Sequence, residues 1–475
     1  MRKTKIICTI GPASDNRDTL KALMLAGMNI ARINFSHGSH EEHLKKIELI
    51  REVRQELSLP VAILLDTKGP EIRTGTFESG EVELKEGQDF TLTTRDISGN
   101  ENICSISYKD LPQDVKPGSQ ILIDDGLIGL RVREIQDTEI LCTVENPGVV
   151  KNYKGVNVPG VKINLPALTE RDRADILFGV ENGIDFIAAS FVRKAADVEA
   201  IREVLREVDR DDIPVIAKIE NKEGIDNIAE IVEVSRGIMV ARGDLGVEIL
   251  PEEVPLIQKE IIRRCNSKGV PVITATQMMD SMMRNPRPTR AEVADVANAI
   301  LDGTDAIMLS GETASGKYPE EAVKIMDRIA RKAEESLDYD ALLLERSNLK
   351  DRDITNAIGH ATCASAASLK ARAILTPTTS GRTAFAVARF RPKTPIYAFC
   401  HDSVVARRLA LCWGTVALLQ GRTDHEKQLF EDSIALAKGK GYIEDGDVVV
   451  ITAGSPVGYG GNTNMMRVQV VGQRL

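Results

Sequence analysis

Short apolar runs alternate with longer amphipathic stretches over most of this chain, which is how β/α units around a parallel sheet read. The apolar runs predict strands near 4–10, 29–34, 61–66, 185–190, 213–219, 237–242, 271–276 and 305–310. The stretches between them read as helices. In 39–57 the apolar positions are Leu44, Ile47, Leu49, Ile50, Val53 and Leu57, and 252–268 and 289–301 read as helices too. Eight such strands close a (β/α)8 barrel, whose chemistry gathers at the C-terminal strand ends. Polar residues fall at those ends: Arg32 and Asn34, Asp66, Lys218 and Glu220, Asp244, Thr276 and Ser310.

Two regions break this rhythm. From 76 to 165 polar and apolar residues alternate (EVEL, DFTLTT, QILIDD, LIGLRV, ILCTV) with turns such as Asp125-Gly126. That predicts a small all-β domain inserted into a barrel loop, placed to act as a lid. Beyond 344 an Ala-rich helix at 356–369 precedes strands near 373–376, 395–399, 415–419 and 447–452, with helices near 381–390, 402–411 and 425–440. This is the pattern of a separate open α/β domain. The expected architecture is α/β: a barrel from 1–69 and 168–344, an insert at 70–167 and a C-terminal domain at 345–475.

Hydrophobic residues make up 43% and charged residues 28%, a globular balance, while aromatics at 4% imply an aliphatic core. The net charge of −9 argues against a nucleic-acid surface, so phosphate substrates would need local cations. Seven cysteines without a CxxC pair argue against a disulfide framework or a zinc site and for a reducing, cytoplasmic setting. The N-terminus enters a strand at once, so a signal peptide is not expected, and no apolar run of about 20 residues predicts a membrane span.

The sharpest chemistry is in IPVIAKIENKEG, where an apolar strand ends in Lys218 and Glu220. Alternation puts both on one face. An ammonium suits a transferring phosphoryl group or a developing enolate, and a carboxylate beside it suits Mg²⁺. A structural salt bridge accounts for the same pair. The next strand ends in Ala241-Arg242-Gly243-Asp244, giving a second carboxylate and exposed backbone N–H groups; a glycine-rich turn with a helix cap is the alternative. Arg32 and Arg73 suit phosphate oxygens. Asn34, Ser36, Asp66 and the Thr67 carbonyl suit a hard cation, and His37 either joins the site or caps the following helix. Thr276 and Ser310 end the last two strands with hydroxyls that bind, relay a proton or simply close the strand. In the C-terminal domain Thr378, Thr379, Ser380, Gly381, Arg382 and Thr383 lie between a strand and a helix, as in a phosphate nest or a capped helix start.

In order, KIICTIGPAS, ARINFSHG, DTKGPEIRTG, KGVNVPG, IPVIAKIENKEGI, MVARGDLGVE, TATQMMDSM, NPRPTRAEVADVANAILDGTDAIMLSGETA and TTSGRTA resemble the motifs of the pyruvate kinases over nearly the whole chain. The resemblance implies transfer of the phosphoryl group of phosphoenolpyruvate to ADP, giving pyruvate and ATP. Lys218 resembles the lysine that stabilises the phosphoryl group and the enolate. Glu220 and Asp244 resemble ligands of Mg²⁺ or Mn²⁺, and Asn34, Ser36, Asp66 and Thr67 match the K⁺ ligands. Arg32 resembles the phosphoryl-binding arginine, with Arg73 beside it, and Glu71 the acidic residue of K⁺-dependent members. Ala241, Arg242, Gly243 and Asp244, through their backbone, and Thr276 resemble the substrate-carboxylate clamp. Asn34, His37, Arg73 and Lys154 match nucleotide-side positions. Ser310 and Glu312 resemble a proton relay, with Thr276 the rival donor. TTSGRTA matches an effector phosphate pocket, but 421–440 has no clear counterpart of the arginine found in members activated by a sugar bisphosphate. Ribose 5-phosphate, AMP and fructose 1,6-bisphosphate stay open. The resemblance also implies a homotetramer, and with the sequence ending at Leu475 the phosphohistidine-type domain that some members append is not expected. The rival readings are a metal-dependent aldolase or mutase of phosphoenolpyruvate or pyruvate, and a non-catalytic phosphosugar sensor.

Overall fold

A computed structural model describes residues 1–347, 353–423, 425–456 and 463–473. The eight expected strands close a parallel barrel: Lys5–Thr9, Ile30–Asn34, Ala62–Asp66, Phe186–Ala189, Val215–Ile219, Gly237–Ala241, Val272–Ala275 and Ala306–Leu309. The eighth pairs back onto the first from Lys5↔Ala306 to Cys8↔Leu309. Each strand is shorter than its apolar run, and at two ends the local reason is visible. The seventh stops at Ala275 because Thr276 and Gln277 take φ of 66° and 53°, outside the strand region. The sixth stops at Ala241 because Arg242–Glu248 turns directly into a short helix.

The helices follow the 3.6-residue period. His40–Glu56 is capped by Ser39 in a reciprocal arrangement with Glu42, so His37 is not the cap. The helix expected from 252 starts at Val254, with Pro255 in its first turn. The barrel interior is lined by Ile7, Ile30, Leu64, Ile216, Met239 and Ile273, and Ala410 and Leu411 of the C-terminal domain close its floor. Arg407–Asp185 at 2.7 Å and Arg391–Asp305 at 2.9 Å hold that domain to the barrel.

The inserted region folds around its own apolar cluster, which includes Phe90, Leu92, Ile121, Leu130 and Ile140. Its strands run from Ile72–Arg73 to Gly155–Asn157 and are mostly antiparallel; Asp89–Thr93 and Ile103–Ser105 pair in parallel. In the C-terminal domain Thr415–Leu419, Ile396–Cys400, Ala373–Pro377 and Val448–Ala453 form a parallel sheet, and Met465–Val470 adds an antiparallel edge. The helix expected over 402–411 ends at Arg408 and tightens into a 3₁₀ turn, Leu409–Leu411. Of the glycine-rich loop at 454–463, residues 457–462 lie outside the described residues. Among the described residues no helix is long and apolar enough to cross a membrane, and all seven cysteines are buried and free.

Behind the second strand His43 is buried and stacks on Phe35, with ring centroids 3.9 Å apart and no hydrogen-bond partner on either nitrogen. Burial, then the nearby Lys46, push its imidazole down to about 4. A group with a depressed folded pKa stabilises fully above its unfolded value, about 6.5, and loses that contribution as pH falls through its folded value. Lowering the pH from about 6.5 to about 4 should therefore cost the wild type on the order of 1–3 kcal/mol more than it costs His43→Phe. Urea melts of both chains across that range check this.

Candidate active site

The side chains at the C-terminal rim converge on Lys218. It is only 8% exposed, and its Nζ lies 3.0 Å from Asp66 Oδ1, 3.0 Å from Glu220 Oε1 and 2.7 Å from Ser190 Oγ. Burial opposes the charge, but Asp66 and Glu220 outweigh it and hold the ammonium above the usual lysine range. Asp66 is wholly buried, and its other oxygen accepts from Arg32 Nε at 2.5 Å. Burial works against the charge of Asp66 too; Arg32 and Lys218 keep its carboxyl below the ordinary value. One carboxylate thus joins the two cations that sequence reasoning singled out separately.

Glu220 and Asp244 stand side by side, within side-chain hydrogen-bonding reach of each other. Burial first, with the neighbouring Asp244 adding to it against Lys218, pushes Glu220 up to about 7. Burial likewise raises Asp244, against the pull of Lys218. Two crowded buried carboxylates are a donor set that a divalent cation satisfies, and Mg²⁺ usually takes one or two carboxylates. Among the described residues no group of three or more His, Cys, Asp or Glu is placed to hold a metal. The pair therefore fits an ion that completes its shell with substrate and water oxygens.

The monovalent-ion candidates sit on adjacent strands, where Asn34 and Asp66 are register partners. Asn34 Oδ1 accepts from Ser36 N at 3.1 Å, and the Thr67 carbonyl accepts from Ser190 Oγ at 2.6 Å. All the donors are oxygens, which suits a hard cation.

At the sixth to eighth strand ends the geometry separates the candidates. Gly243 N donates to Thr276 Oγ1 at 2.7 Å, so this clamp amide meets the threonine hydroxyl directly. The Arg242 side chain is engaged elsewhere: it pairs with Asp295 at 2.7 Å and donates to the Thr276 carbonyl at 2.9 Å, bracing the strained turn. Any clamp role of Arg242 is left to its backbone. Glu312 accepts from Ser310 N at 2.8 Å and Met279 N at 3.0 Å, with burial raising its carboxyl. The Ser310 hydroxyl is buried without a hydrogen-bond partner.

Between the inserted domain and the barrel opens a cavity of about 740 Å³, whose lining includes His37, Arg73, Lys154, Asp244 and Glu248. Arg73 pairs with Glu71 at 2.6 Å, and Lys154 with Asp124 at 2.9 Å. In the C-terminal domain Thr378 Oγ1 accepts from Gly381 N at 3.0 Å, and Gly381, at φ 85°, precedes the helix Arg382–Ala388. Thr379 and Ser380 complete this turn. The Thr383 hydroxyl is turned inward, 2.9 Å from that of Thr463.

Sequence reasoning missed the end of the fourth strand. Ser190 and Phe191 lie there among the charged groups, and Phe191 N donates to Glu220 Oε2 at 2.6 Å. The signal was available: Ser190 is the first hydroxyl after an apolar strand, at the rim position the barrel rule marks.

The chain matches the family model for the pyruvate kinase barrel domain over residues 1–323 and the one for the pyruvate kinase alpha/beta domain over residues 356–469. It is 54% identical to a pyruvate kinase of Clostridium acetobutylicum, covering 99% of this chain and all of that one. It is 56% identical to a pyruvate kinase of Geobacillus stearothermophilus, covering 100% of this chain and 81% of the relative. A crystal structure of a pyruvate kinase from Cryptosporidium parvum superposes with a TM-score of 0.95 at 42% identity, over 99% of this chain and 96% of that one. Two domain models in sequence order, a relative matched over its full length and a rim of paired cations and carboxylates converge on one assignment: the chain belongs to the pyruvate kinase family.

Proposed function

We propose that the barrel mouth transfers the phosphoryl group of phosphoenolpyruvate to ADP, giving pyruvate and ATP in the last step of glycolysis. The observation that carries this reading is the convergence of Lys218, Arg32, Asp66 and Glu220 within direct contact distances at one rim. Both substrates are anions, and the chemistry is mostly positioning and charge stabilisation. Arg32 and Lys218 grip the phosphoryl oxygens. Glu220 and Asp244 would hold Mg²⁺ or Mn²⁺, and Asn34, Ser36, Asp66 and Thr67 would hold K⁺. Bound there, these ions supply positive charge that offsets the phosphate and enolate oxygens.

The substrate carboxylate takes the backbone N–H groups of Ala241 to Asp244, the Gly243 amide being released by rotation of the Thr276 side chain. ADP lies in the cleft against Asn34, His37, Arg73 and Lys154, under the inserted domain. Once the phosphoryl group has left, Lys218 holds the enolate oxygen. C3 then takes a proton from the seventh and eighth strand ends, where Thr276 and the Ser310–Glu312 pair stand. The Thr378 to Thr383 turn is the proposed pocket for a phosphorylated effector. A cytoplasmic homotetramer is the proposed setting, supported by the buried free thiols and the family.

A lactate dehydrogenase-coupled assay tests this reading. Pyruvate should form only with both phosphoenolpyruvate and ADP, and faster with K⁺ and Mg²⁺. Ribose 5-phosphate, AMP or fructose 1,6-bisphosphate, added at low phosphoenolpyruvate, should raise the rate. Pyruvate formed without ADP, or none under any condition, contradicts the reading.

A further inference from the structure

The roles above leave out the fourth strand's end, yet that end touches most of the groups they name. Lys218 has three N–H bonds and no acceptor, and three partners surround it: Asp66 and Ser190 accept hydrogen bonds from it, and Glu220 pairs with it at 3.0 Å. Two are carboxylates; Ser190 is the neutral one. Because the ammonium can only donate, Ser190 Oγ must accept from it. The single serine proton is then free for the Thr67 carbonyl, 2.6 Å away, which is closer than Asp66 Oδ1 at 3.2 Å. Ser190 N also donates to Thr67 Oγ1 at 3.1 Å. The serine therefore fixes one direction of the ammonium and ties it to the backbone that follows the third strand.

The next residue fixes the carboxylate beside that ammonium. Phe191 holds φ of 57°, a region that non-glycine residues rarely adopt, and its N–H reaches Glu220 at 2.6 Å. The loop is packed from the other side by Gly69. A Cβ on Gly69 would come within 2.8 Å of Ser190 Cβ and 2.9 Å of Phe191 Cδ2. Ser190 is 7% exposed, so its hydroxyl is held by these partners and not by bulk water.

We propose that Ser190 is a positioning residue for the reaction: it accepts an N–H of Lys218 and donates its own O–H to the Thr67 carbonyl, aiming the ammonium at the transferring phosphoryl group. This rests on the functional reading above. The neutral contact is the one the ammonium can loosen towards a phosphoryl oxygen without parting a buried ion pair.

The test is steady-state kinetics on Ser190→Ala and Ser190→Thr beside the wild type, with melting temperatures. Ser190→Ala should lose about 10–100-fold in kcat, with KM for phosphoenolpyruvate and ADP within about twofold, because the effect lies on the aimed group and not on substrate capture. Ser190→Thr, which keeps the hydroxyl, should recover most of the rate. An unchanged kcat in Ser190→Ala overturns the proposal. So do equal losses in both variants, or a loss that follows a lowered melting temperature, since these mark a packing role. A wild type that forms no pyruvate sinks the functional reading itself; an active wild type with an unaffected Ser190→Ala sinks the positioning role alone.

Discussion

Lys218→Met should lower kcat by roughly 10³–10⁵-fold, the scale on which removal of a charged transition-state stabiliser acts. The fold should survive the change. Asp66 keeps Arg32 at 2.5 Å, and Glu220 keeps the Phe191 amide at 2.6 Å. Glu220, already pushed up to about 7, can take a proton where it loses its cation. The same substitution should leave Mn²⁺ affinity unchanged or tighter, because the ammonium 3.0 Å from Glu220 competes for that carboxylate. Loss of rate with retained metal binding is the signature of a group acting on the substrate. Coupled assays with titration of Mn²⁺ by electron paramagnetic resonance read both quantities.

The second large effect runs the other way. Glu220→Gln and Asp244→Asn should each weaken Mn²⁺ binding by about 100-fold or more, since even outer-shell partners of a metal cost 10–100-fold. Activity at low Mn²⁺ should fall with the affinity. Raising Mn²⁺ should restore part of the rate in these variants and none of it in Lys218→Met. An unchanged Mn²⁺ affinity in both carboxylate variants would place the divalent ion elsewhere.

Much of this arrangement was legible before any coordinates. The barrel strands are apolar on both faces, so their runs stand out, and the polar residues that end them mark the rim. The alternating texture of the insert and the final α/β rhythm were equally plain. What could not be read was partnership across strands. Nothing local to Asp66 says that it joins Arg32 and Lys218, because those contacts span 34 and 152 residues. Nor does anything local to Arg242 say that its guanidinium runs to Asp295, 53 residues away. The short helix after Ala241 was hidden because its first turn carries the glycine Gly243, a poor helix former. The end of the fourth strand is silent in the sequence because Ser190 is chemically modest; its importance comes from the charged neighbours that the closed barrel brings to it.

A crystal structure with Mn²⁺ and a non-reacting phosphoenolpyruvate analogue, collected at the manganese absorption edge, is the most direct check on the convergence of Lys218 with the Glu220–Asp244 pair. The anomalous peak should fall between those two carboxylates, with the analogue's phosphoryl-side oxygens in reach of Lys218 Nζ and Arg32. A peak away from both carboxylates, or an analogue seated in the cleft with Lys218 still turned from it, would contradict the proposed mechanism.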